Sequence, residues 1–387
     1  MAKIAVISTT AGYPWGGSEY LWAAMVEQAL LEGHEVLVSV NELAVTHSSV
    51  IKLQEQGAKI FSNTRSFSLV SRILYKLIQK NPLLKKFLNN SQFKPIFDSN
   101  PDVICLSEGH IYSAVFDQDL IKLFQNHSIP YLVVTHLNEE CYKLEENIRK
   151  TAKKLFSKAK YHVFVSHKNV KIAERQLAQS LPNALVLQNP VNLVNLNIVS
   201  WLQQSTIFFA SVARLDAAYK GQDILFEILS SPVWQQRNWQ LNLYGSGPDQ
   251  SYLEALAEYY GIAHRVKFFG HVNDIRSIWS NNHILLLPSR EEGGPPISLV
   301  ETMLCGRPVV ATDVGAVTEW IEDELTGFIA EAPTLNLFAA AMNRAWQSQN
   351  NWEKMGVKAH EIATAKLDHS PGCSLLKLVL DASTKHL

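Results

Sequence analysis

Two doubly wound α/β domains facing each other across a deep cleft are the architecture this sequence predicts. Three observations carry that expectation. Short apolar runs alternate with longer amphipathic segments, the pattern restarts near the middle of the chain, and glycine marks several of the strand-to-helix joins. Alternation of this kind specifies a parallel sheet with helices on both faces. The 387 residues are too many for one typical domain and enough for two, each with its own core.

In the first half, IAVIST (4–9), HEVLVSV (34–40), AKIFS (58–62), DVICLS (102–107), YLVVTH (131–136), YHVFVSH (161–167) and NALVLQN (183–189) read as buried strands. Helical patterns lie between several of them. One is SEYLWAAMVEQALLEGH, where Ser18 is a good N-cap and Gly33 a C-terminal stop. The second half repeats the scheme with TIFFASVA (206–213), WQLNLYG (239–245), RVKFFG (265–270), HILLLPS (283–289), RPVVAT (307–312) and TGFIA (326–330). The seam, 189–205, is polar, carries Pro190 and lacks periodicity. The expected domains are therefore 1–195 and 196–387, with the last helix packing back on the first domain.

Composition narrows the function classes. A formal net charge of −1 and a pI near 6.9 argue against a general nucleic-acid binder, which is usually basic overall. Cys105, Cys141, Cys305 and Cys373 lie far apart without metal spacing, and read as core thiols of a reducing compartment. The N-terminal apolar run is too short for a signal peptide, and no run approaches the roughly 18 apolar residues of a spanning helix. A cytoplasmic protein is expected. Between Glu55 and Asp98 there are eight basic residues and no acidic one, and Leu69, Val70, Ile73, Leu74, Leu77 and Ile78 recur at helical spacing. This predicts a basic amphipathic helix over 65–86, able to touch an anionic membrane surface; a solvated face on a packed helix is the plainer alternative.

The chemistry is expected at strand carboxyl ends, where helix N-termini bind phosphorylated ligands. Arg214 follows one strand, with Lys220-Gly221 after a short loop; two cations suit a pyrophosphate. Gly245-Ser246-Gly247-Pro248 reads as a tight turn that lets backbone approach a ligand. In LLLPSREEGGPPISLVETMLCGRPVVA, Glu292 precedes Gly293-Gly294, Pro295 and Pro296 fit a first helical turn, and Glu301 lies two turns in. Carboxylates beside a phosphate cradle fit sugar hydroxyls, which makes a nucleotide-sugar site the leading hypothesis. In the first half, Gly16-Gly17 before Ser18 forms an anion-tolerant helix start, while His110 and His136 end strands as candidates for sugar contact or proton handling. Asp117-Gln118-Asp119 has the look of a metal motif, but a helix cap before LIKLF explains it more simply. No metal is expected.

Together these residues resemble the retaining glycosyltransferases of family 4. Gly16-Gly17, His136, Ser166, Asn189-Pro190-Val191-Asn192, Arg214 with Lys220-Gly221, the Gly245–Pro248 turn, Phe269-Gly270, PSREEG and ETMLCGRPVVATDVG follow one another in family order. The resemblance implies the GT-B fold and a metal-independent transfer of a sugar, with retention, from a nucleotide diphosphate sugar to a hydroxyl acceptor. That acceptor would be a glycan, a lipid-linked saccharide or a small molecule, in polysaccharide or glycoconjugate biosynthesis. It implies an N-terminal acceptor domain and a C-terminal donor domain, with no cofactor. By the same resemblance Arg214 and Lys220 neutralise the diphosphate, Glu301 holds the ribose and Glu292 contacts the donor sugar. Gly293 and Gly294 lie near the phosphates, Gly17 closes over the diphosphate and His136 contacts the transferred sugar. The family separates its two acids by seven residues; here eight intervene. The rival readings are a nucleotide-sugar epimerase of the same architecture and a catalytically silent binding protein.

Overall fold

A computed structural model describes residues 1–63 and 92–384. The expected 65–86 helix lies outside the described residues. Two compact units are present: residues 1–190 with 368–387, and residues 191–367. The division falls after Pro190, five residues before the expected 195/196 boundary, and the last 20 residues return to the first unit.

The first unit is built on seven parallel strands: β1 (Lys3–Ser8), β2 (Glu35–Asn41), β3 (Lys59–Asn63), β4 (Val103–His110), β5 (Tyr131–Leu137), β6 (His162–Phe164) and β7 (Ala184–Val186). Their order is β3-β2-β1-β4-β5-β6-β7. Alternate residues serve opposite faces, as the strand period requires. Ile4 and Val6 pack with Leu21, Trp22 and Met25 of the helix Glu19–Leu31, while Ala5 and Ile7 pack with Phe97, Ile104, Leu106 and Phe124. Gly33 ends the first helix at φ +80°, as its position in the sequence predicts. The final helix, Pro371–Ser383, covers Glu19–Leu31 and buries Leu375, Leu376 and Val379; Gly372 sits where a Cβ would lie 2.7 Å from the Ala24 backbone.

The second unit repeats the scheme with six parallel strands: β8 (Ile207–Val212), β9 (Trp239–Tyr244), β10 (Val266–Gly270), β11 (Ile284–Leu287), β12 (Val309–Thr312) and β13 (Gly327–Ala330). The order β10-β9-β8-β11-β12-β13 reverses direction between β8 and β11, just as the first sheet reverses between β1 and β4. Such a switch point opens a crevice beyond the strand carboxyl ends. The seam is held by the fully buried Arg307, whose guanidinium donates to the carbonyls of Val199 (2.8 Å), Ser200 (2.6 Å) and Trp279 (2.8 Å), while Nε donates to Asn282 O (3.1 Å).

Several local expectations change. Strands β6 and β7 are only three residues each. Cys141 and Cys373 are exposed, so only Cys105 and Cys305 are core thiols. Ser18 makes no side-chain cap; its hydroxyl donates to Glu19 Oε1 (3.1 Å) instead. Pro295 and Pro296 precede the helix Ile297–Leu304 rather than opening it, because a residue before proline is pushed out of the helical region and Pro296 itself is extended at ψ 130°. Glu301 therefore lies one turn in. Asp117 does cap its helix, Oδ1 accepting from the amides of Asp119 (3.1 Å) and Leu120 (2.9 Å).

Candidate functional site

In the second unit, the loops after β8, β9 and β11 interlock at the carboxyl ends of their strands. Gly221, at φ +66°, passes the carbonyl of Pro288 so closely that a Cβ would lie 2.2 Å from it. Gly245, at φ +136°, makes a similar approach to Ala213 O (2.1 Å), directly before Arg214. A side chain at either place would push one loop off the next.

The short helix Ala217–Lys220 is fixed from three sides. Asp249 Oδ2 accepts the amide of Ala217 (2.8 Å), the Arg290 amide donates to Tyr219 O (2.8 Å), and Arg290 Nη1 donates to Ala217 O (2.5 Å). The Arg290 guanidinium is itself gripped by both carboxylate oxygens of Asp223, each at 2.7 Å. This frame delivers Lys220 Nζ to Glu292 Oε1 at 2.6 Å, and Ser289 Oγ donates to the same oxygen at 2.8 Å. Arg214 lies on the adjoining loop, its guanidinium paired with Asp216 and its carbonyl accepting from Gln222 Nε2 (2.8 Å).

Lys220 and Glu292 are thus brought into contact, with Arg214 and Gly245 on neighbouring loops. Gly293 and Gly294 continue the loop from Glu292. Of the eight residues between the two acids, 293–296 are loop and 297–300 are helix. Glu301 is buried, and Oε1 accepts the amide of Asn192 at 2.7 Å. Burial pushes its carboxyl up to about 7, against the opposing effect of the Asn192 hydrogen bonds.

Gly16, Gly17 and His136 belong to the first unit. Gly16 accepts the amide of Glu19 (3.0 Å). Glu19 is a buried carboxyl that also accepts from Trp22 Nε1 (2.8 Å) and Ser8 Oγ (3.3 Å); its burial raises its pKa. A buried, hydrogen-bonded acid beside the glycine pair is a feature the sequence did not announce. His136, near the end of β5, is buried, and neither ring nitrogen has a hydrogen-bond partner among the described residues. Burial lowers its pKa to about 4, so the ring is neutral at pH 7.

Sequence reasoning did not identify Ser289, Arg290, Asp223, Asp249 or Asn192 as supporting residues. The signal for Ser289 and Arg290 was their place between a buried strand and Glu292. Nothing local marks Asp223 or Asp249, and Asn192 stands out only as part of the Asn189–Asn192 run in family order, with no role attached; their partners lie 32 to 109 residues away. Among the described residues, no three His, Cys, Asp or Glu side chains are grouped to hold a metal ion.

Residues 204–348 match the family described as Glycosyl transferases group 1. An uncharacterized glycosyltransferase of Haemophilus influenzae is 31% identical over 150 residues, covering 38% of this chain and 41% of that protein. The alpha-D-kanosaminyltransferase of Streptomyces kanamyceticus is 33% identical over 153 residues, 39% of each chain. The chain therefore spans about two fifths of the length of these curated relatives. Among solved structures, the Anabaena protein HepE in complex with UDP-glucose superposes with a TM-score of 0.70 at 17% identity, covering 98% of this chain and 100% of that one.

Proposed function

We propose an activity for this chain from one premise: its second unit belongs to the group 1 glycosyl transferases, and the chain has the GT-B fold. The reading is a retaining, metal-independent glycosyltransferase that moves a sugar from a nucleotide diphosphate sugar to a hydroxyl acceptor. One observation carries it. Lys220, Glu292 and Ser289 meet within hydrogen-bond distance at the switch point between β8 and β11. The nucleotide-sugar donor is supported by the UDP-glucose complex of the structurally similar Anabaena protein.

On this reading the donor diphosphate takes the place of carboxylates as partner of Lys220 and Arg214. Their charges then oppose the negative charge that grows on the leaving diphosphate, a fixed electrostatic contribution that needs no metal. Release from Lys220 leaves Glu292 an acceptor for hydroxyls of the donor sugar. Glu301, one turn into its helix, accepts the ribose hydroxyls. Gly293 and Gly294 carry no side chain between backbone and phosphates, and the family resemblance assigns Gly17 to the diphosphate. His136, neutral and with both nitrogens unpartnered among the described residues, is assigned to the transferred sugar by the family resemblance. The acceptor hydroxyl attacks on the face the diphosphate leaves, and the phosphate takes its proton.

Lys220→Ala and Arg214→Ala are each expected to lower turnover by about 10²–10³-fold with the fold intact. Release of nucleoside diphosphate is measured across uridine, guanosine and adenosine diphosphate sugars, with and without chelator. Full activity in both variants overturns the diphosphate role. Conversion of the donor alone to an epimer would instead identify an epimerase.

A further inference from the structure

The first unit carries a cluster that the donor chemistry does not use. It lies at the carboxyl ends of β4 and β5, where His110 is the last residue of β4 and the loop 138–145 follows β5. The Tyr142 ring stacks on Tyr112 (centroids 5.9 Å apart, 25° between planes) and meets His110 edge-on at 5.1 Å. Tyr112 is fully buried and Tyr142 only half-buried, so Tyr142 is the outer ring of the stack. His110 Nδ1 accepts the amide of Tyr112 (3.4 Å), which leaves Nε2 to carry the proton of the neutral ring. The Glu139 carboxylate lies close enough to act electrostatically on both His110 and Tyr142.

This loop is braced. Gln176 Nε2 donates to Glu139 O (2.7 Å), Arg149 Nη2 to Leu144 O (3.2 Å), and Tyr142 N to Glu139 O (3.2 Å). Of the loop's own acids Glu140 pairs with Arg175 (3.4 Å), and Glu146, the first residue of the following helix, pairs with Arg149 (2.7 Å). Glu139 has no ion pair among the described residues. A held aromatic face, a ring N–H donor and an unpaired carboxylate are the three groups that recognise a pyranose: one covers its C–H face and two take its hydroxyls.

We propose that His110, Glu139 and Tyr142 form an acceptor subsite for a neutral saccharide. The proposal rests on the transferase reading above and adds the class of acceptor to it. Free carboxylate at the site disfavours an anionic acceptor, because the charges would repel.

The test uses the full chain and three neutral disaccharides, maltose, cellobiose and lactose, with binding followed by saturation-transfer NMR. At least one is expected to bind. Tyr142→Ala and Glu139→Gln should each weaken that binding at least fivefold, and Tyr142→Phe should stay within twofold of the parent. Thermal melts establish that the variants fold. Affinity for whichever of UDP, GDP and ADP the parent binds, measured by calorimetry, is expected to be unchanged in all three variants. The subsite is overturned if none of the disaccharides binds, if Tyr142→Ala and Glu139→Gln both bind as the parent does, or if glucose 1-phosphate binds more tightly than they do. Saccharide binding with none of UDP, GDP or ADP bound would instead sink the donor reading, and with it the acceptor role, while the saccharide-binding site itself remained.

Discussion

Glu301 carries a carboxyl group whose surroundings oppose its charge. Its ordinary pKa of 4.5 rises to about 7 in the folded chain, chiefly through burial. The folded state therefore binds more protons than the unfolded state between those values. The stability tied to the neutral acid is complete below about pH 4.5 and is lost as pH rises through about 7. At about 1.4 kcal/mol per pH unit the full loss is roughly 3 kcal/mol. Glu301→Gln keeps the shape and cannot ionise, so its stability relative to the parent should improve by about that amount from pH 4.5 to pH 8. Urea unfolding at both values measures it, and a constant difference would refute the assignment. The residue itself was legible from its place in the helix after the glycine-proline loop. Its burial was not, because that depends on Asn192, a distant residue whose amide folds back onto the carboxyl.

At the scale of elements, the strands were the readable part and the joins were not. Both sheets follow the apolar runs, whose alternate residues pack on opposite faces. The helix Ala217–Lys220 is only four residues and has no periodicity to detect. It stands because Asp249, Asp223 and Arg290 hold it, and those residues come from three different segments. The Arg290–Asp223 pair is bidentate and partly exposed, so its coupling should be about 1 kcal/mol rather than several. A double-mutant cycle of Arg290→Ala and Asp223→Ala, read by urea unfolding, should return that value. Coupling indistinguishable from zero would mean that backbone contacts alone fix the helix. The prolines teach a related lesson. Composition permits them in a first helical turn, but two in succession hold the chain extended and delay the helix to Ile297.

Across the whole molecule, the first unit depends on residues far from the rest of its sequence. Leu375 is fully buried against the helix Glu19–Leu31 and its neighbours. Leu375→Ala should lower stability by about 2–5 kcal/mol. Hydrogen exchange should quicken in 19–31 while β8, β9, β11 and β12 stay as in the parent; equal quickening in both units would contradict the division at Pro190. The pairing of these helices was anticipated only in outline, since an amphipathic helix does not announce which surface it covers. Its consequence reaches back to synthesis. The second unit, 191–367, is an uninterrupted stretch inserted into the first, so a ribosome delivers it whole before the closing helix exists. At about 5–20 residues per second, the 177 intervening residues leave the helix Glu19–Leu31 and the adjoining parts of β4 and β5 without their closing helix for roughly 10–35 s. The earlier half of the nascent chain is thus the later to mature, and in that interval it is a natural client for a chaperone.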